Sequence, residues 1–195
     1  MTPEVRVIGV PGVPEVRPGD DLGRLLAEAL RRAALPVASG DVLVVTQKVV
    51  SKAEGRVVRL RDVEPSPLAV RWAKEWGRDP RHIEVVLRES VRIIRMENGI
   101  VISETAHGFK CANAGVDASN VPEDDTLTLL PLAPDASAER VRCAVREALG
   151  VEVAVVVSDT FGRPWREGAV NVAIGVAGLH PLRDYRGETD AYGHP

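Results

Sequence analysis

Aromatic residues are scarce, 4% of a 195-residue chain. The core must therefore be assembled mainly from Val, Leu, Ile and Ala, in one large domain or two small ones. Cysteine is scarcer still. Cys111 and Cys143 are the only two, too few for a disulfide framework and without metal-ligand spacing. A reducing cytoplasm is the expected compartment. No apolar run approaches the roughly 20 residues of a membrane-spanning helix; among the longest is 153–157. The start, Met-Thr-Pro-Glu-Val-Arg, has no basic region followed by a long apolar stretch, so neither an export signal nor a membrane partner is expected. Positive charge is not in excess either, with 28 Asp and Glu against 25 Lys and Arg. No basic run is interleaved with aromatics, which argues against a nucleic-acid partner. The arginines at 31–32 and at 140, 142 and 146 fall on polar faces of expected helices and read as solvated surface.

Several standard motifs are missing as well. There is no G-x-x-x-x-G-K-[ST] phosphate loop, and Gly9-Val-Pro-Gly12 is not a dinucleotide fingerprint, because two prolines intrude and the third glycine is absent. No His-Glu-x-x-His occurs, the four histidines are scattered, and no G-x-S-x-G elbow supports a serine nucleophile.

What is present alternates strand and helix signals. Residues 5–10 read as a first strand ended by Pro11-Gly12. Asp20 or Asp21 caps a helix with apolar residues at 22, 25, 26, 29, 30 and 33. After the turn Ser39-Gly40-Asp41, residues 42–45 form a continuous apolar strand expected to be buried on both faces. Lys52-Ala-Glu-Gly55 breaks that element, and 56–60 alternate as a returning strand. Helices follow over 69–76 and, opened by Pro80, over 81–89. Strands at 91–95 and 100–104 flank Glu97-Asn98-Gly99, a hairpin signal because Asn-Gly suits a primed turn. A long polar stretch spans 107–122, then a strand at 127–130 and a helix at 136–149 closed by Gly150. Residues 151–157 form a Val-rich strand, and 170–176 one more. The pattern specifies a mixed α/β (α+β) fold without internal repeats.

Two acidic sites stand out. Asp117 lies among small residues in Asn113-Ala-Gly-Val-Asp117-Ala-Ser-Asn120, and Asp159-Thr160 directly follows the Val-rich strand. Carboxylate, hydroxyl and carboxamide oxygens are hard ligands suited to Mg²⁺ or Mn²⁺, and strand C-termini are where α/β folds gather ligands. The same patterns also serve as turns and helix caps, and both readings stay open on these residues alone. Lys52, placed after a buried strand, and Arg163 and Arg166, just beyond Asp159, are cations able to hold a phosphate or to remain solvated.

Taken together, Val-Ser-Lys-Ala-Glu-Gly-Arg at 50–56, Asn-Ala-Gly-Val-Asp-Ala-Ser-Asn-Val at 113–121, Ser-Asp-Thr-Phe-Gly-Arg-Pro-Trp-Arg at 158–166 and Ala-Ile-Gly-Val-Ala-Gly at 173–178 resemble the coenzyme F420-0:L-glutamate ligase (F420:γ-glutamyl ligase) family. The likeness runs across residues 1–195 as one domain; some relatives carry a fused nitroreductase-like domain. It implies an unusual α/β fold, an intertwined homodimer, and a GTP-dependent ligase. GTP activates the terminal carboxylate of coenzyme F420-0 as an acyl phosphate, and the amine of L-glutamate displaces phosphate; further glutamates follow through γ-linkages. Mg²⁺ or Mn²⁺, as a pair of ions, and K⁺ are the implied cations.

By motif, the resemblance makes Asp117, Asp159 and Thr160 metal ligands. Gly12, Val13, Pro14, Glu15, Gln47, Lys48, Lys52 and Asn120 become GTP contacts. Gln47-Lys48 stands where some archaeal relatives have a small hydroxyl pair. The family continues for about fifty residues beyond its Tyr-Gly-x-Pro, here Tyr192-Gly193-His194-Pro195, with further nucleotide and metal contacts expected in that piece. Two other readings share the motifs: a ligase of the same fold acting on another carboxylate, and an inactive nucleotide-binding module.

Overall fold

The computed structural model describes residues 4–97, 99–119, 125–160 and 170–194. Its helices begin where short polar side chains can satisfy free backbone N–H groups. Asp21 accepts from the Arg24 N–H to start α1 (Leu22–Arg32). Ser66 caps α3 (Pro67–Trp76) and Asp79 caps α4 (Pro80–Arg88), each with proline in the first turn, where its missing N–H costs nothing. Gly77 and Gly150 end α3 and α5 (Pro134–Leu149) in the left-handed conformation. A further short helix, α2 (Gln47–Ala53), follows β1 (Val42–Thr46) without a break.

The remaining strands are β2 (Val57–Arg59), β3 (Ser90–Glu97), β4 (Ile100–Thr105), β5 (Lys110–Ala112), β6 (Thr126–Thr128), β7 (Ala154–Thr160) and β8 (Asn171–Ala177). They form three sheets, ordered β1-β7-β8, β2-β6 and β3-β4-β5. In the first, β1 and β7 are parallel, with Thr46 beside Ser158 at their C-terminal ends, and β8 returns antiparallel to β7. This mixture of parallel and antiparallel pairing, with five α-helices among the described residues, is the α/β fold expected from the sequence.

The larger core lies where α1 and α5 cover this sheet. Leu26 and Leu30 meet Val141, Val145, Val155 and Val157 there, and each buried aliphatic side chain stabilises the fold by roughly 1.5–3 kcal/mol. The helices approach closely because Gly23 has no side chain; a Cβ there would lie 2.5 Å from that of Ala144. A second core joins Leu60, Val63, Val85, Val86, Val101, Leu127 and Leu129 beneath α4, β4 and β6.

Several sequence expectations are corrected. Residues 5–10 form no strand, and Val5 and Val7 are almost fully exposed. The strand at 42–45 is not buried on both faces. It is an edge strand, with Val42 and Val44 exposed by 54% and 61%, because none of the described residues covers that face. The element that continues it is helical, so Lys52 lies on α2 rather than after a strand. The stretch 107–122 contains β5 and a tight turn at Asn113–Gly115, since β5 finds a partner in β4. Asp159 and Thr160 close β7 rather than following it, because Val172 and Asn171 of β8 pair with them. The hairpin stands as read, Glu97 opposite Ile100. No helix among the described residues is long and apolar enough to cross a membrane.

Candidate functional site

The parallel pair sets the site. β1 and β7 end side by side, so the first turn of α2 and the acidic end of β7 emerge from the same sheet edge, the usual ligand position in α/β folds. Gln47, Val50 and Ser51 face inward. The Gln47 amide donates to Ser51 Oγ (2.6 Å) and to the Leu129 carbonyl (3.0 Å), and Ser51 Oγ donates to the same carbonyl (2.6 Å). Gln47 is 2% exposed, so its amide nitrogen is committed to fixing α2 on the chain after β6.

Lys48 and Lys52 are four residues apart and share the outer face of α2. Each finds a carboxylate. Lys52 Nζ lies 2.6 Å from Glu15 Oε1, tying α2 to the segment Gly12-Val13-Pro14-Glu15; Lys52 and the Arg17 charge hold the Glu15 carboxyl below its usual range. Gly12 adopts φ 73°, Val13 packs against the main core, and Pro14 and Glu15 are exposed. Lys48 Nζ lies 2.6 Å from Asp117 Oδ2 and donates to Ser119 O (2.8 Å) and Ser119 Oγ (2.7 Å).

Asp117 is placed by an unusual backbone. Asn113, Ala114 and Gly115 are successively left-handed, with φ 52°, 53° and 72°. Two of the three carry a side chain that disfavours this conformation, and strain of this kind concentrates at functional sites. Asp117 then bridges Thr128 of β6 through two backbone hydrogen bonds. Its carboxylate accepts from the Ser119 N–H (2.8 Å) and from Ser119 Oγ (3.0 Å). Burial pushes the Asp117 carboxyl up, but the bonds from Lys48 and Ser119 outweigh it and hold the group below the usual carboxylate range.

Asp159 behaves oppositely. Burial raises its carboxyl, and the negative charge of Asp117 raises it further; the Thr160 N–H and Lys48 oppose this only in part. The two carboxylates are thus close enough to repel, and no ion pair reaches Asp159 among the described residues. Thr160 Oγ1 hydrogen-bonds to Asn171 Oδ1. Two mutually repelling carboxylates beside a hydroxyl form a donor set that a hard divalent cation would relieve. Among the described residues no three His, Cys, Asp or Glu side chains converge into a group that could hold a metal ion. Asn120, Arg163 and Arg166 lie outside the described residues.

Two neighbours escaped the sequence reading. Ser119 closes the Lys48–Asp117 contact, and only its place in the Asp-x-Ser turn hinted at it. His82, on α4, has a buried Nε2 without a hydrogen-bond partner among the described residues, and it lines a cavity of about 100 Å³ with Arg78, Gly99, Val101 and Asn113. Burial lowers its pKa, while the Asp79 and Asp117 charges raise it and Arg78 lowers it. A lone histidine carried no pattern to mark it.

Fold and site together define an α/β protein in which Lys48, Lys52 and two repelling carboxylates gather near the C-terminal ends of two parallel strands. The family model described as F420-0:Gamma-glutamyl ligase matches residues 12–195. The coenzyme F420:L-glutamate ligase of Methanothermobacter thermautotrophicus is 49% identical over 97% of this chain and 75% of its own length. The enzymes of the same name from Methanopyrus kandleri and Methanocaldococcus jannaschii are 47% and 40% identical, over 98% and 97% of this chain and 73% and 74% of their own. The chain belongs to the F420-0:gamma-glutamyl ligase family.

Proposed function

We propose that this protein joins L-glutamate to coenzyme F420-0 through an amide bond, with GTP as the energy source. The observation that carries this reading is the Lys48–Asp117 ion pair, with Asp117 repelling Asp159, near the C-terminal ends of β1 and β7 in a chain of this family. In the first step a carboxylate oxygen of F420-0 forms a bond to the γ-phosphorus as the bond to the bridging β–γ oxygen breaks, releasing GDP and leaving an acyl phosphate. In the second, the glutamate amine attacks the acyl carbon, inorganic phosphate leaves, and the nitrogen gives up its proton. Further γ-linked additions repeat the cycle.

Phosphoryl transfer asks the protein for positioning and charge more than for covalent chemistry. Asp117, Asp159 and Thr160 would hold Mg²⁺ or Mn²⁺, which when bound supplies charge neutralisation to the triphosphate. Lys52, with the backbone of Gly12-Val13-Pro14-Glu15, borders the same helix face, and its ammonium is suited to a phosphate as a point charge. The locked Gln47 supports a role in holding α2 rather than in reading a base. A homodimer is part of the proposal, supported by the exposed Val42 and Val44 on the β1 edge.

The test is mass spectrometry of F420-0 incubated with the protein, GTP, Mn²⁺ and L-glutamate, with and without K⁺. A product heavier by one or more glutamyl residues, dependent on GTP, is expected. GDP release with another carboxylate but not with F420-0 overturns the substrate assignment. GTP binding without turnover overturns the ligase reading for this chain.

A further inference from the structure

Both oxygens of the Asp117 carboxylate are already engaged. Oδ1 accepts the Ser119 N–H at 2.8 Å, and Oδ2 accepts Ser119 Oγ at 3.0 Å and faces Lys48 Nζ at 2.6 Å. The Lys48 ammonium has three oxygens around it, from Asp117, the Ser119 carbonyl and the Ser119 hydroxyl, so its donors are spent in this arrangement. A hard divalent cation takes a carboxylate oxygen at about 2.0–2.6 Å. A cation bound there and an ammonium on the same oxygen repel, and they compete for the same lone pairs.

The two halves of the Gln47-Lys48 pair are held very differently. Gln47 is buried and bonded twice to the interior, so the start of α2 is fixed. Lys48 reaches Asp117 only through a flexible four-carbon stem, and its partner Ser119 is exposed. The ammonium can leave Asp117 by side-chain rotation with the helix in place.

We propose that Lys48 is the resident counter-cation of Asp117 in the metal-free protein, and that it must be displaced from Asp117 when the divalent cation binds. It is a positioning residue: it keeps the carboxylate oriented, then frees an ammonium at the edge of the site as the cation and its phosphate ligands arrive. The inference rests on the proposed metal role of Asp117 and adds the handover between the two cations.

The test uses the full chain and the metal alone, without nucleotide. Mn²⁺ binding is measured by titration calorimetry and by electron paramagnetic resonance for the wild type, Lys48→Met and Lys48→Arg, each first checked for folding by circular dichroism. Removing the competing ammonium in Lys48→Met is expected to tighten Mn²⁺ binding about fivefold, the scale of a partly exposed ion pair. Lys48→Arg, which restores a cation, returns the affinity to near wild type. In the wild type, amine labelling of Lys48 read by mass spectrometry is expected to rise when Mg²⁺ is added.

Weaker or unchanged Mn²⁺ binding in Lys48→Met, or Lys48 labelling that stays constant or falls with Mg²⁺, overturns the handover while leaving the metal site standing. If the wild type binds no Mn²⁺ under any of these conditions, the metal role of Asp117 falls and the handover falls with it. The labelling arm uses unmutated protein, so a misfolded variant does not decide the outcome.

Discussion

Asp117 and Thr128 exchange two backbone hydrogen bonds, Asp117 N–H to Thr128 O at 3.0 Å and Thr128 N–H to Asp117 O at 2.8 Å, while Thr128 Oγ1 adds a third to the Asp117 carbonyl at 3.1 Å. The loop bearing the carboxylate is therefore fastened to β6 by its main chain, independently of what the side chain does. A change confined to that side chain should alter ligation and spare the fold.

Asp117→Asn and Asp159→Asn are each expected to lower ligase turnover by at least about 100-fold, the scale of losing an electrostatic catalytic contact, with unchanged circular dichroism. Their stabilities should diverge. Asp159 is a half-buried carboxyl whose charge is opposed by burial and by Asp117, so Asp159→Asn should keep or slightly raise the melting temperature of the metal-free protein. Asp117→Asn gives up a charged bond to Lys48 and should lower it. Near-normal turnover in both variants removes these residues from the site.

Lys52→Met separates binding from stability. Its partner Glu15 is largely exposed, so solvent screens the ion pair, and denaturation midpoints should barely move. GTP affinity, followed with a fluorescent analogue, should fall at least about tenfold, the loss of one charge-assisted phosphate contact. Unchanged affinity would place Lys52 outside the nucleotide site.

Gly115→Ala tests the left-handed turn. Gly115 has φ 72°, and a Cβ there would lie 2.8–2.9 Å from three side-chain atoms of Leu130. Conformational strain and overpacking together should cost about 2–4 kcal/mol in urea denaturation. A loss below about 0.5 kcal/mol would show that the turn relaxes freely.

Asp79→Ala probes pH linkage away from the site. Asp79 caps α4 through the Arg81 N–H at 2.8 Å and also holds the Arg81 guanidinium, which draws its carboxyl below the ordinary 3.8, burial opposing. A carboxyl depressed in the folded state contributes stability above its unfolded pKa and loses that contribution as pH falls through the folded value. The variant should be about 1 kcal/mol less stable at neutral pH, and the gap should close in strong acid. Melting curves against pH check this; a gap that widens in acid contradicts the assignment.

Cys111 should be inert. It is fully buried, and burial, with the Asp159 charge, pushes its thiol up to about 11. The thiolate is the reactive form, so iodoacetamide at about pH 8 should label Cys111 only after unfolding, as read by peptide mass spectrometry. Rapid labelling of the native protein would require an open path to β5.

Much of the fold is legible locally. Asp21, Ser66-Pro67 and Asp79-Pro80 start helices in the structure because capping depends on a few adjacent residues. The antiparallel pairing of β3 with β4, Glu97 opposite Ile100, likewise follows a local signal. α2 was hidden because no glycine or proline separates it from β1, and seven residues are too few for their period to tell helix from strand. Only the burial of Gln47, Val50 and Ser51 reveals the helical spacing. The candidate site was legible as residue types in ordered motifs, but not as partners.

The sequence by itself determined the family, the element types with strong local signals, and the acidic and basic residues available for chemistry. Tertiary structure alone decided that β1 would be an edge with Val42 and Val44 exposed, that β8 would draw Asp159 and Thr160 into β7, and that Lys48 would reach Asp117 while Lys52 reached Glu15. Such pairings depend on which distant strands lie side by side, and the free energy that selects them comes from burying the whole sheet beneath α1 and α5. No local window of the chain carries that quantity.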